Sequence, residues 1–245
     1  MIKIKNVSKS YNKNEKVIDN INLEIKDGEI FGFLGPNGAG KTTTIKMMTG
    51  ILDIDDGDIL IDGKSIIKNS LEAKKRIGFV PDNPDMFLKL KGIEFLNFIS
   101  DIYEIPEHIR KERIESLAKE FDIYDVLNEK IQNYSHGMRQ KIVIISVLLH
   151  NPKNWILDEP LTGLDPKSAY NLKTRMKEHA NCGNTVFFST HILEIAEKIC
   201  DRIAIIDNGK ILFVGTLKEV REALKKDISL EELFMEITKI NEENN

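Results

Sequence analysis

Residues 35–43 read GPNGAGKTT, and this stretch narrows the choice of fold more than any other in the chain. It fits G-x-x-x-x-G-K-[ST] through Gly35, Gly40, Lys41 and Thr42. It follows a nearly continuous apolar run, EIFGFLG, and opens a stretch of helical character, TTIKMMTG. A strand that ends in a glycine-rich loop and continues as a helix can cradle phosphate. The glycines let backbone N–H groups curl around phosphate oxygens, and the helix N-terminus attracts the anion. Pro36, Asn37, Gly38, Ala39 and Thr43 complete the loop. Lys41 is placed to reach the β- and γ-phosphates of a nucleotide, and the Thr42 hydroxyl to ligate Mg²⁺.

The remaining pattern predicts an α/β chain around that loop. IKIKNV alternates, and VIDNINLEI carries apolar residues at Ile18, Ile21, Leu23 and Ile25. Asp-Gly pairs at 27–28 and 62–63 sit between strand-like runs as turns. GFV ends a strand near residue 80, where Pro81 and Pro84 break the pattern. Residues 92–150 look helical, in LNFISDIY, IRKERIESLAKEF and the run after Gly137. They read as a helical lobe inserted into the core. Beyond residue 150, NWILDEP and TVFFSTH are strands, while SAYNLKTRMKEHA (after Asp165-Pro166) and ILEIAEKIC are helices. RIAIIDNGKILFVG is a hairpin about Asn208-Gly209, ISLEELFMEITKI an amphipathic helix, and NEENN a disordered end. Alternating strands and helices imply a largely parallel sheet with helices on both faces.

Two strand ends carry further chemistry. WILDEP places Asp158 and Glu159 at the C-terminal tip of a strand, the edge where parallel sheets bind ligands. One carboxylate there can hold Mg²⁺ or its water, and the other can polarise an attacking water. FFSTH delivers His191 to the same edge as a donor near the γ-phosphate.

Residues 1 to about 220 resemble the nucleotide-binding subunit of ATP-binding cassette (ABC) transporters. GPNGAGKTT is similar to the family's phosphate loop and WILDEP to its Mg²⁺ and base strand. LTGLDP at 161–166 resembles its D-loop, STH its switch histidine, and YSHGM stands where the family usually has LSGGQ. The resemblance implies a P-loop NTPase fold, a RecA-like core with an antiparallel β subdomain plus the helical lobe. The expected division is a core of residues 1–82 and 151–220, a helical subdomain 83–150, and a C-terminal helix and tail 221–245. It further implies two cassettes pairing head to tail around two MgATP, as a homodimer or with a paralogue. Glu159 would be the general base, Asp158 would hold Mg²⁺ through water, and His191 would bind the γ-phosphate. Ser135, His136 and Gly137 would meet the partner's ATP, and Asp165 would link the two sites. Tyr11 matches the aromatic residue that stacks on adenine; it can equally close the turn of the first strand.

Two departures from the family pattern stand out. Asp82, in IGFVPDNP, occupies the place of the usual Gln, and its shorter, charged side chain can approach Mg²⁺ or the attacking water. The LSGGQ-like segment has Tyr134 for Leu, His136 for the first Gly and Met138 for Gln. Both departures resemble exporter-type members that pair with separate ABC-2-type permeases. On residues alone, Ser135 is a helix cap and His136 a solvent-facing first-turn side chain; with the resemblance, both turn toward a second subunit's nucleotide.

Bulk properties limit the alternatives. The 245 residues hold one large domain or a domain with a lobe. A net charge of −4 argues against nucleic acid as a partner. The longest nearly apolar run, 142–149, falls short of the roughly 20 residues a membrane helix needs. Cys182 and Cys200 match no metal spacing and read as small buried hydrophobes in a reducing compartment. The expectation is therefore an ATPase motor at the cytoplasmic face of the membrane, driving a separate integral permease, with export favoured. Met86, Phe87 and Leu88 either receive a permease helix or pack beneath the lobe. The alternative is a soluble ABC ATPase acting on ribosomes or DNA.

Overall fold

The computed structural model describes residues 1–12, 15–224, 230–232, 234 and 235. Its elements in order are β1 (Ile2–Asn12), β2 (Glu15–Ile25), β3 (Ile30–Leu34), α1 (Lys41–Met48), β4 (Asp56–Ile61) and β5 (Lys64–Ser65). There follow α2 (Ser70–Lys74), β6 (Ile77–Val80), α3 (Gly92–Ile102), α4 (Glu107–Glu120) and α5 (His136–His150). The chain then runs through β7 (Asn154–Asp158), α6 (Pro166–Asn181), β8 (Thr185–Thr190), α7 (Leu193–Ile199), β9 (Arg202–Asp207), β10 (Lys210–Gly215) and α8 (Leu217–Leu224). Most of the tail assigned to an amphipathic helix and a disordered end lies outside the described residues.

The strands form two sheets. One is antiparallel with order β2-β1-β4-β5; the other has order β10-β9-β3-β8-β7-β6 and is parallel except for the β9–β10 hairpin. Successive side chains on a strand face opposite sides, and the central strands use both. On β7, Trp155 and Leu157 enter one core while Ile156 enters the other. On β8, Val186 and Phe188 share the first core and Phe187 the second. Burial on both faces explains why these strands read as apolar runs rather than as alternation.

One face matches the expectation of covering helices: α3, α4, α5 and α6 pack there, and the core runs unbroken from Phe95 and Phe121 to Trp155 and Phe188. The other face differs. It is covered by α1 together with the antiparallel sheet, whose Ile2, Ile4, Ile21, Ile25 and Ile59 meet Phe31, Phe33 and Phe187. Sheet-on-sheet packing needs a second apolar sheet face, which the alternation in β1, β2 and β4 supplies.

Local chemistry adjusts the helix ends. The helix expected over 168–180 runs Pro166–Asn181, because Asp165 accepts the Ser168 N–H as N-cap and Pro166 fits the first turn. Asp62-Gly63 joins β4 to β5 as expected. Asp27-Gly28 instead carries the chain from one sheet to the other, with Gly28 at φ 81°. Cys200 is partly buried, and burial of its thiol pushes the pKa up, whereas Cys182, the C-cap residue of α6, is exposed.

Candidate functional site

The phosphate-type loop bridges β3 and α1. Gly40 is the N-cap of α1 at φ 105°, a conformation that only glycine adopts readily, and a Cβ there would collide with Ile18. The Lys41 ammonium folds back into the loop, donating to the carbonyls of Gly35 at 2.7 Å and Pro36 at 3.0 Å. Burial lowers its pKa, and the nearby carboxylates of Glu159, Asp158 and Asp82 oppose that shift.

Three acidic and basic groups reach this loop from adjacent strand ends. β7 and β8 pair in parallel with Asp158 opposite Ser189, so the ends of both strands open on one edge. Asp158 is buried, and burial raises its pKa; hydrogen bonds from Ser189 and Thr42 favour the carboxylate, while Asp82 and Glu159 oppose it. The Ser189 hydroxyl donates to Asp158 Oδ1 at 2.6 Å and accepts the Glu159 N–H at 3.1 Å. Glu159 sits at φ 47°, a left-handed conformation that costs a non-glycine residue about 1–2 kcal/mol. Its Oε1 lies 3.0 Å from Nδ1 of the exposed His191.

Together Lys41, Thr42, Thr43, Asp82, Glu159, Thr162 and His191 line a cleft of about 370 Å³, floored by Asn37, Gly38 and Gly40. Such a cleft can hold a polyphosphate against an ammonium and backbone amides, with a carboxylate and an imidazole at the far side. The Thr42 hydroxyl and the Asp158 and Asp82 carboxylates are hard oxygen donors of the kind Mg²⁺ takes. Among the described residues, no three His, Cys, Asp or Glu side chains gather into a self-contained metal cage. The donor set therefore suits an ion that arrives with phosphate oxygens. Tyr11 stands beside this cleft, its ring 58% exposed and its hydroxyl 3.5 Å from Thr43 Oγ1.

Residues 135–137 and Asp165 are not part of this cleft. Ser135 is exposed and caps α5, accepting the Met138 N–H at 3.3 Å. Gly137 has a reason for lacking a side chain within its own chain: a Cβ would stand 2.6 Å from the Gly163 carbonyl oxygen. The His136 ring packs over the same Gly163. The Asp165 carboxylate is used locally, in an ion pair with Lys141 at 2.7 Å and in capping α6. Gln140 adds a long contact, 3.5 Å, to the Pro160 carbonyl. Thus the first turns of α5 are strapped to loop 160–165, which directly follows Glu159.

Sequence reasoning passed over Ser189, Gln140 and Lys141. Polar residues inside the apolar runs TVFFST and RQKIVII are the only sequence signal for them.

A second cavity, about 220 Å³, lies between the core and the helices. Phe79, Met86, Phe87, Ile99 and Tyr103 line it, together with the polar Thr49, Lys74, Ser146 and His150. Met86 and Leu88 pack partly into the core. Phe87 stays 46% exposed and touches the rings of Phe95 and Phe98 at 5.2 and 5.7 Å. Met86 and Leu88 thus pack beneath the lobe, while the Phe87 ring is left exposed.

A model of the ABC transporter family matches residues 18–162. An uncharacterized ABC transporter ATP-binding protein, YhcH of Bacillus subtilis, is 39% identical over 89% of this chain and 71% of its own length. A solved ATP-binding subunit of an ABC transporter superposes with a TM-score of 0.92 at 31% identity, covering 97% of this chain and 99% of that one. A dimeric ATP-binding cassette in a post-hydrolysis state with ADP and Pi superposes at 0.80, with 26% identity, over 89% and 99% of the two chains.

Proposed function

The chain belongs to the ABC transporter family as an ATP-binding, ATP-hydrolysing subunit, and from that premise we propose a residue-level mechanism, a dimeric working form and a role in export. The observation that carries the mechanism is the run Asp158–Ser189–Glu159–His191, whose Glu159 and His191 line one cleft with Lys41 while Asp158 and Ser189 are buried behind it. Loop residues 35–43 bind the triphosphate through backbone amides, and Lys41 shifts from its own loop carbonyls to the β- and γ-oxygens. Tyr11 stacks on the base. Glu159 accepts a proton from the attacking water, and His191 contacts the γ-phosphate while holding the Glu159 carboxylate in line. Thr42, Asp158 and Asp82 are the residues that would hold Mg²⁺, which when bound would supply charge neutralisation to the phosphates.

One chain closes only one side of the nucleotide. Ser135, His136 and Gly137 stand at the N-terminus of a 15-residue helix outside the cleft, suited to a second copy's γ-phosphate. Asp165 serves that pairing indirectly, by fixing loop 160–165 through Lys141. The helical lobe, 83–150, then moves with the core, 1–82 and 151–220.

Among the described residues no helix is long and apolar enough to cross a membrane. A separate integral permease supplies the path, and its partner surface is the groove at Phe87. The segment from Asp82 to Phe87 connects that groove to the ATP cleft, with Asp85 paired to Arg139 of α5 at 2.7 Å between them. Asp82 for Gln and the YSHGM segment favour export with an ABC-2-type permease, placing the subunit peripherally at the cytoplasmic face. Glu159→Gln tests the mechanism. The variant should bind ATP, fail to hydrolyse it, and elute as an ATP-bound dimer in size exclusion; normal turnover would remove Glu159 as base.

A further inference from the structure

We propose that Ser189 is a positioning residue of the ATPase site, one hydroxyl that sets both the Asp158 carboxylate and the Glu159 backbone. The proposal rests on the roles given above to Asp158 and Glu159. A serine hydroxyl has one proton to give and lone pairs to receive with. Ser189 uses both: its proton goes to Asp158 Oδ1 at 2.6 Å, and its oxygen takes the Glu159 N–H at 3.1 Å. The residue is fully buried, so it acts through these two neighbours alone.

The register makes the bridge possible. Parallel pairing sets Asp158 opposite Ser189, and the chain leaves β7 at Glu159. Glu159 departs in the left-handed conformation, at φ 47°, which its side chain does not favour. Two bonds pin the peptides on either side of Glu159: the Ser189 oxygen takes its N–H, and the Thr162 N–H donates to its carbonyl at 3.1 Å. The left-handed turn aims the Glu159 carboxylate at His191 instead of continuing the strand. Meanwhile the Ser189 hydroxyl holds Asp158 Oδ1 at 2.6 Å, so the carboxylate's orientation is set before nucleotide arrives. Removal of the Ser189 oxygen releases both constraints. Both bonds of Ser189 go to residues outside loop 35–43, so the loop should keep its hold on triphosphate without it.

The test compares wild type, Ser189→Ala, Ser189→Thr and Glu159→Gln in three measurements. These are kcat and KM for MgATP, ATP affinity with and without Mg²⁺ from a fluorescent analogue, and thermal unfolding. Misplacement of a catalytic group by a fraction of an ångström to an ångström costs on the order of 10- to 100-fold in rate. Ser189→Ala should lose kcat by that factor, keep KM and Mg²⁺-free ATP affinity within about twofold, and lose much of the affinity that Mg²⁺ adds. Ser189→Thr keeps the hydroxyl on a residue suited to a strand and should restore most of the rate. A Ser189→Ala enzyme with wild-type kcat and an unchanged Mg²⁺ increment overturns the proposal. So does a loss of Mg²⁺-free binding in step with kcat, which marks a general structural role. Turnover by Glu159→Gln would instead strike the assignment of the base.

Discussion

His179 illustrates what one residue contributes away from the cleft. It lies flat on Trp155, ring centroids 4.0 Å apart at 17°, with Nε2 donating to the Lys153 carbonyl at 3.2 Å. Burial pulls its pKa down to about 4 despite that bond. Between pH 6.5 and 4 the unfolded chain takes up a proton that the folded chain refuses, so acid weakens folding in that window. Above the unfolded value the contribution is fully present. The loss reaches roughly 2 kcal/mol by pH 5, or several degrees in Tm for a domain of this size. His150, also lowered by burial, acts in the same direction. The expected outcome is that His179→Phe, which keeps a ring on Trp155, loses less Tm than wild type when calorimetry moves from pH 7.5 to pH 5. Parallel Tm curves would show that His179 does not titrate this way.

At the scale of elements, the decisive contact is between α5 and loop 160–165. The phosphate loop and the carboxylates at Asp158 and Glu159 are legible in the sequence because their chemistry is local: a loop, a helix start, a strand end. The parallel sheet is legible too, from the alternation of short apolar runs with helices. Ser189 and Lys141 are not, because each acquires its meaning from a partner brought by strand register or helix packing. Gly137 reads in the sequence only as a contact to nucleotide, yet the Gly163 carbonyl already requires it within the chain. Asp165 likewise reads as a residue that reaches across a dimer, while its carboxylate is bound to Lys141 and to the start of α6. These two uses can be separated. Asn caps helices about as well as Asp but carries no charge. Asp165→Asn should therefore cost up to about 1 kcal/mol, for a half-exposed ion pair, and Asp165→Ala roughly 1 kcal/mol more for the lost cap. Urea unfolding resolves the difference. Equal costs for the two variants would assign the whole effect to the ion pair.

For the whole molecule, the ATP cleft and the Phe87 groove lie on different parts of the surface yet share one segment of chain. Asp82 lines the first and Met86 and Phe87 the second. Phe87 holds a left-handed backbone, φ 52°, with a large ring left partly in water. An exposed aromatic side chain on a left-handed turn offers apolar surface that a partner could cover. The contact to the exposed Phe98 extends the same apolar surface along α3, whose Ile102 is also exposed, while Phe95 anchors the ring from the core. A membrane subunit that inserts an apolar residue beside Phe87 would bury this surface and push on the segment that ends at Asp82. Phe87→Asp should then abolish co-purification with the permease from detergent extracts, since a charge would be buried at the joint. The purified variant should still hydrolyse MgATP at about the wild-type rate, because Phe87 does not line the ATP cleft. Its stability should hold as well, the ring being half outside the core. A variant that loses hydrolysis in isolation would place Phe87 in the ATPase machinery. One that still binds the permease and transports would move the docking surface elsewhere on the molecule.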